Sequence, residues 1–323
     1  MEKNSDNCLV LARQKFMAGE MSKFEYAEYL NGQHLSLLNY PEFLIGTDVS
    51  SVQITAEGVS VRSGAHDISM LINAVDLHAT PYTLLDFGSY ESNETAFLKS
   101  VFREGDVFFD IGANLGWYSL VLGRSCPGAK VYAFEPIPST IEVLKKNIQL
   151  NRLENVEAIS LGMFNEEKDL NFLFAEDVSG ATSLKLTGQA RGRAPVQEVM
   201  CKTTTLDAFC SSNGVLPTLV KVDVEGAELM VVQGGKDCLV STPIILMELL
   251  RKWSREFGYH PNDVFQHLEQ YGYTAWVFSE GGAGGLQPCP CVTEETVQTN
   301  FVFMHPQKHA QIIKKWAYHG NNV

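Results

Sequence analysis

The first group of residues able to do chemistry is Asp110, Gly112, Asn114 and Gly116, in the run VFFDIGANLGWYS from Val107 to Ser119. An apolar run ends in an acid, then opens into alternating small residues and a helix. Glycines at such a turn let backbone approach a ligand with no Cβ in the way. A pyrophosphate is usually cradled by glycines spaced G-x-G-x-x-G. Here the spacing is G-x-N-x-G, with an acid two residues ahead of the first glycine. An aspartate repels a pyrophosphate but attracts an ammonium. Glu135 lies about 20 residues beyond the loop, where an acid at the end of the next strand holds ribose hydroxyls. A ribose at Glu135 and an amino-acid portion at the glycine loop together describe S-adenosylmethionine. A nicotinamide dinucleotide is the rival that this spacing disfavours.

The second group lies in LVKVDVEGAEL. Read as a strand, alternate residues share a face, so Lys221, Asp223 and Glu225 point one way and Val220, Val222 and Val224 the other. Three charges on a central strand are costly to bury without partners or a purpose. Asp223 and Glu225 sit near the strand's carboxyl end, the edge that also carries the glycine loop. Positioning an acceptor, moving its proton, metal binding and a self-satisfying Lys221–Asp223 pair all remain open for them. Glu228 opens the following helix, where an acid suits the helix dipole. Glu248 ends the next strand, in IILMEL, and should face the same pocket. His260, before Pro261, is a weaker candidate base. Carboxylates at adjacent strand ends could hold Mg²⁺, but no ligand spacing compels a metal, and none is assigned.

These residues need a sheet to position them. From about residue 93 the pattern alternates strand and helix. Seven strands are expected, at 107–110, 130–135, 156–161, 219–224, 244–248, 274–278 and 301–304. Helices follow the glycine loop and occupy 139–151 and 263–271, with a capping box at Ser139-Thr140-Ile141-Glu142. Such alternation gives an α/β fold in which ligands bind beyond the strands' carboxyl ends. Residues 1 to 38 read as helical, with a capping box at Ser22-Lys23-Phe24-Glu25. Residues 51–62 read as a hairpin turning at Glu57-Gly58. Residues 175–197 are polar and glycine-containing, as expected of a flap or a disordered insertion.

Composition narrows the partners. The chain has 323 residues, 45% of them apolar, and a formal net charge of −13. That balance disfavours sequence-independent binding to nucleic-acid phosphates or anionic membranes. Its seven cysteines are scattered and odd in number, which suits free thiols rather than a disulfide framework. Cys289 and Cys291 lack the second ligand pair of a zinc site. No apolar run reaches the roughly 20 residues of a membrane span, and the first residues lack a secretory pattern. A cytoplasmic protein is expected.

Five blocks, FFDIGANLGWYSLVLG, VYAFEPIPSTIEVLKKNIQLN, TTLDAF, VKVDVEGAELMVVQGG and PIILMEL, follow in order the pattern of the FkbM-type methyltransferases, and TNFVFMHP resembles that family's last strand. The resemblance covers roughly residues 90–306. It implies a class I, Rossmann-like doubly wound sheet of seven strands, the last antiparallel. It also implies S-adenosylmethionine and O-methylation of a hydroxyl on a small molecule, sugar or glycan. With the resemblance in hand, the expected cofactor contacts are Asp110, Gly112, Asn114, Gly116, Tyr118, Glu135, Pro136, Gly162, Met163 and Asp223. The expected catalytic residues are Asp223, Glu225, Lys221 and Glu248. A non-catalytic binder of the same cofactor is the alternative. The expected organisation is an accessory segment over 1–85, used for acceptor recognition or homo-oligomer assembly, a cofactor-binding domain over 86–308, and a tail over 309–323.

Overall fold

The protein is described from a computed structural model over residues 7–185, 194–279 and 285–317. The chain divides into two compact units, Met1–Thr47 and Asp48–Val323. The first holds helices at Cys8–Met17 and Lys23–His34, then short turns of helix at Leu35–Asn39 and Tyr40–Phe43. The expected capping box forms: Ser22 N–H donates to Glu25 Oε2 at 2.8 Å, and Glu25 N–H donates to Ser22 Oγ at 3.3 Å. Phe16 stacks on Tyr26 with ring centroids 4.6 Å apart.

The second unit opens with three antiparallel strands, β1 (Val49–Thr55), β2 (Gly58–Ser63) and β3 (Ile68–Ile72). The first two are the expected hairpin. The third is tied to the larger fold by two asparagines at the end of the helix Pro138–Leu150. Ser69 N–H donates to Asn151 Oδ1 at 2.7 Å, and Leu71 N–H donates to Asn147 Oδ1 at 2.9 Å. Asn151 Nδ2 returns a bond to the Ser69 carbonyl. The compact unit that begins at Asp48 thus includes the small sheet, which satisfies backbone groups against the helix Pro138–Leu150.

The remaining strands are β4 (Val107–Ile111), β5 (Lys130–Phe134), β6 (Val156–Ile159), β7 (Gly162–Met163), β8 (Lys168–Phe174), β9 (Gln197–Thr204), β10 (Leu219–Val222), β11 (Ile244–Glu248), β12 (Thr274–Phe278), β13 (Leu286–Pro288) and β14 (Asn300–Met304). Eight of them form one sheet in the order β13-β12-β14-β11-β10-β4-β5-β6. β6, β5, β4, β10 and β11 are parallel, and β14 is antiparallel to both of its neighbours, β11 and β12. This is the mixed α/β, class I methyltransferase arrangement. Parallel strands covered on both faces read as apolar runs; Phe108, Phe109 and Ile111 of β4 and Leu246 and Met247 of β11 are fully buried. β13 is the eighth strand, which the sequence pattern does not reveal. It has three residues and ends in Pro288, which lacks an N–H and fits only an edge. β7, β9 and β8 form a second small sheet.

One expectation is corrected. The capping box at residues 139–142 is not made. Pro138 occupies the helix's first turn with Ile137 as the cap, and Glu142 pairs instead with Lys145 at 2.8 Å. The described part of the tail over 309–323 carries a helix. The helix Ala310–Trp316 sets Trp316 edge-on to Phe97 at 5.2 Å, and Trp316 Nε1–H donates to Ser100 Oγ at 2.8 Å.

Candidate active site

The carboxyl ends of β4, β5, β10 and β11 open into one cavity of about 230 Å³. One side of it is built from the turn after β4. Asp110 is 1% exposed; its Oδ2 accepts from Ser119 N–H at 3.1 Å and from Ser119 Oγ–H at 2.6 Å. Its Oδ1 is buried without a partner. Burial raises the Asp110 carboxyl above its usual range, against the pull of Lys221 and Ser119. Glu135, beyond the end of β5, accepts from Asn114 N–H on Oε2 at 3.1 Å and from Ile137 N–H on Oε1 at 2.9 Å. Burial pushes it up to about 7, although those two amides pull it back. Each Glu135 oxygen keeps a lone pair for a ligand hydroxyl.

The other side is charged. Lys221 Nζ lies 2.7 Å from Asp223 Oδ2 and 5.2 Å from the centre of the Tyr118 ring. Burial would lower the Lys221 ammonium, but Asp223, Asp110 and Glu91 outweigh it and hold the pKa above the usual lysine value. Asp223, Glu225 and Glu248 bring carboxylate oxygens within 4.8 Å of one another. Burial, then Asp223 and Glu228, push Glu225 up to about 9. Burial, then Asp223, push Glu248 up to about 10. Glu225 and Glu248 therefore hold protons at neutral pH. The site combines an electronegative pocket at a glycine turn with a group of acids able to accept hydroxyl hydrogen bonds or take a proton.

Residues 110–275 match the Methyltransferase FkbM domain family. The chain belongs to that family. Among its relatives, "Methyltransferase 1" of Beauveria bassiana (strain ARSEF 2860) is 30% identical over 151 residues, 42% of this chain and 61% of that protein. "Hexuronic acid methyltransferase AglP" of Haloferax volcanii is 29% identical over 169 residues, 52% of this chain and 63% of that protein. The chain thus spans about six tenths of each of these curated relatives. Among solved structures, M. jannaschii TYW2 in complex with AdoMet covers 80% of this chain and 88% of its own at 14% identity and a TM-score of 0.37, too slight to carry an argument.

Within this FkbM-family site, the structure places Asp110, Gly112, Asn114, Tyr118, Glu135, Pro136, Lys221, Asp223, Glu225 and Glu248 around the cavity. It does not bring the other candidates there. Gly116 has φ +93 and turns onto helix Pro138–Leu150, where a Cβ would meet Leu144 Cδ1 at 2.4 Å. Gly162 and Met163 form β7; Met163 is 4% exposed in the apolar core, and Gly162 packs on Phe172. His260 is exposed and caps the helix Pro261–Glu269, accepting from Asn262 N–H on Nδ1 at 3.2 Å. Two placements also differ from strand alternation. β10 ends at Val222, so Asp223 and Glu225 stand on the following turn, with Glu225 at φ +50.

Several cavity residues carried no readable signal. Thr80, Tyr90 and Glu91 come from or border the segment read as accessory, Trp117 reads as core, and Phe172 and Thr182 come from β8 and the β8–β9 connection. Glu91 directly precedes the helix Ser92–Val101, where an acid is explained by the helix dipole. It instead accepts a hydrogen bond from Tyr118 Oη–H. The described part of the 175–197 insertion reaches the site: Ser179 Oγ–H donates to Asn114 Oδ1 at 3.1 Å, and Ser183 Oγ–H donates to the Glu225 carbonyl at 2.8 Å. Residues 186–193 of that insertion lie outside the described residues.

Proposed function

We propose that the protein is an S-adenosylmethionine-dependent O-methyltransferase acting on a hydroxyl of a small molecule, sugar or glycan. The observation that carries the reading is the partnerless Asp110 Oδ1, buried beside a glycine turn one strand away from Glu135. A ligand with an ammonium at one end and a ribose at the other supplies what both acids lack. Asp110, Gly112, Asn114, Glu135 and Pro136 would hold that cofactor, which supplies an already activated methyl group.

The chain's own task is then positioning and proton handling. Asp223, Glu225 and Glu248 accept hydrogen bonds from the acceptor's hydroxyls and hold the reacting oxygen in line, which contributes through lost freedom prepaid on binding. Glu225 or Glu248, once it has given up its own proton, has a high affinity for the hydroxyl proton released on attack. Lys221 pairs with Asp223 and fixes the position of its carboxylate. Tyr90, Trp117 and Tyr118 supply apolar wall that limits water. The AglP name supports a sugar hydroxyl as acceptor. The net charge of −13 supports no role with nucleic acid, and free cysteines suit work in the cytoplasm. Among the described residues no helix is long and apolar enough to cross a membrane.

Two measurements test this reading. Calorimetry should give binding of S-adenosylmethionine and none of NAD. Incubating the protein with methyl-labelled cofactor and an extract of the source cells should label an ether methyl on a hydroxylated product. Tight cofactor binding with no labelled product would favour the non-catalytic alternative; binding of NAD alone would remove the proposal.

A further inference from the structure

Glu228 is buried and ionisable, yet it does not line the cavity and no step above uses it. It is 3% exposed, at the start of the helix Glu228–Gln233. Its side chain turns back onto the preceding turn. Oε1 accepts from Gly226 N–H at 2.9 Å and from Val224 N–H at 3.4 Å. These two amides flank Glu225. Oε2 lies 2.8 Å from Tyr259 Oη, which is also 3.0 Å from the Gly226 carbonyl.

The turn so gripped does not hold itself. Glu225 sits at φ +50, a region that side chains other than glycine rarely adopt. Gly226 follows at φ +110, with space for a Cβ closed by the Phe257 ring at 2.6 Å and the Trp253 carbonyl at 3.1 Å. Glu228 Oε1 is the shared acceptor for the amides on either side of Glu225, those of Val224 and Gly226. Released from it, Glu225 would relax toward ordinary backbone, and its carboxyl would leave the group it forms with Asp223 and Glu248.

We propose that Glu228, backed by Tyr259, is a positioning residue that clamps the Val224–Gly226 backbone so that Glu225 presents its carboxyl to the acceptor. The inference rests on the methyltransferase reading for its effect on turnover, but the clamp itself can be measured without turnover. Glu228→Ala should remove the amide hydrogen-exchange protection of Gly226 and Val224, followed by NMR on the protein with S-adenosylmethionine bound. It should lower labelled methyl transfer into the extract pool by about 10²-fold, the usual consequence of a misplacement near 1 Å. The dissociation constant for S-adenosylmethionine should stay close to wild type. Glu228→Gln keeps one carbonyl oxygen for both amides and an N–H for Tyr259 Oη, so it should restore most of the protection and most of the rate. Glu228→Met keeps the volume but offers no acceptor to the amides, so it should behave like Glu228→Ala, whereas a purely packing role would leave it close to wild type.

Unchanged amide protection and unchanged turnover in Glu228→Ala would overturn the proposal. So would a loss of cofactor affinity as large as the loss of turnover. If Glu228→Ala fails to fold by circular dichroism, Tyr259→Phe decides: faster exchange at Gly226 with reduced turnover supports the clamp, and wild-type behaviour in both overturns it. A wild-type protein that binds no S-adenosylmethionine would defeat the proposed function instead. The exchange comparison, repeated on the free protein, would still judge the clamp.

Discussion

Gly112→Ala separates two reasons for a glycine in the loop after β4. Read from sequence alone, the missing Cβ leaves room for a ligand, so a larger residue should block the cofactor and leave the fold intact. The structure gives a different reason. Gly112 has φ +79, and a Cβ there would stand 1.8 Å from the Asp223 carbonyl oxygen and 2.9 Å from its carbon. Non-bonded atoms rest about 3.5 Å apart, so the turns leaving β4 and β10 would have to separate by roughly 1.5 Å. Forcing alanine into left-handed backbone costs about 1–2 kcal/mol, and overpacking of this kind adds about 1–3 kcal/mol. A total of about 2–5 kcal/mol corresponds to a fall in melting temperature of about 4–20 °C for a domain of this size. Thermal unfolding by calorimetry, beside a titration with S-adenosylmethionine, should show stability and affinity falling together, because the displaced backbone carries Asp223. A variant that melts like wild type but no longer binds the cofactor would refute the packing argument and restore the ligand-space one. Gly116→Ala should be milder, since its Cβ meets the far end of the Leu144 side chain rather than backbone.

Glu135→Gln should weaken S-adenosylmethionine by about 1–3 kcal/mol, the cost of leaving buried polar groups poorly paired; an unchanged dissociation constant in a titration would remove Glu135 from the site. Glu248 is about 10 in the folded protein and near 4.5 when unfolded, so between those values the native state keeps a proton that the unfolded chain has lost. Stability of the ligand-free protein should therefore fall as pH rises through that window, and Glu248→Gln should flatten the fall; parallel melting curves for both proteins would contradict the assignment. If Asp223, Glu225 and Glu248 hold a divalent cation, EDTA should abolish methyl transfer and Mg²⁺ restore it, whereas indifference to both leaves the trio as bases and hydrogen-bond acceptors. Deleting residues 1–47 should leave cofactor binding measurable by calorimetry. Deleting 1–80 should unfold the protein by circular dichroism, because β3 and its bonds to Asn147 and Asn151 are lost; a folded 81–323 fragment would place the domain boundary near residue 85.

What was legible in the sequence follows from how local its cause is. The apolar runs of β4, β10 and β11 announce themselves because parallel strands are covered on both faces. The acids at their ends are conspicuous for breaking that pattern, which is why the sequence alone puts Asp110, Glu135, Asp223, Glu225 and Glu248 on one edge. Even there strand alternation is only part of the reason for Glu225. It assigns the right side, but β10 stops at Val222 and a left-handed turn delivers the side chain. That turn depends on Glu228 and Tyr259, the latter 31 residues further along the chain.

The unread features share a longer-range cause. Gly116, Gly162 and Met163 look like loop and strand-end positions, and only the approach of Leu144 or Phe172 shows the two glycines to be packing positions. β13 has three residues and ends in a proline, too short to leave a periodicity. Tyr90 and Glu91 reach the cavity because the chain between the helices Thr80–Phe87 and Ser92–Val101 passes beside the strand ends, and a helix-start acid has a local explanation that hides a distant partner. The same reasoning applies to Glu228. An acid at a helix start needs no further account from sequence, whereas its two amide bonds onto Val224 and Gly226 are visible only in three dimensions. Residues whose local role is already sufficient are therefore where a sequence reading of this site stops early, and Glu91 and Glu228 are the two acids here that meet that description.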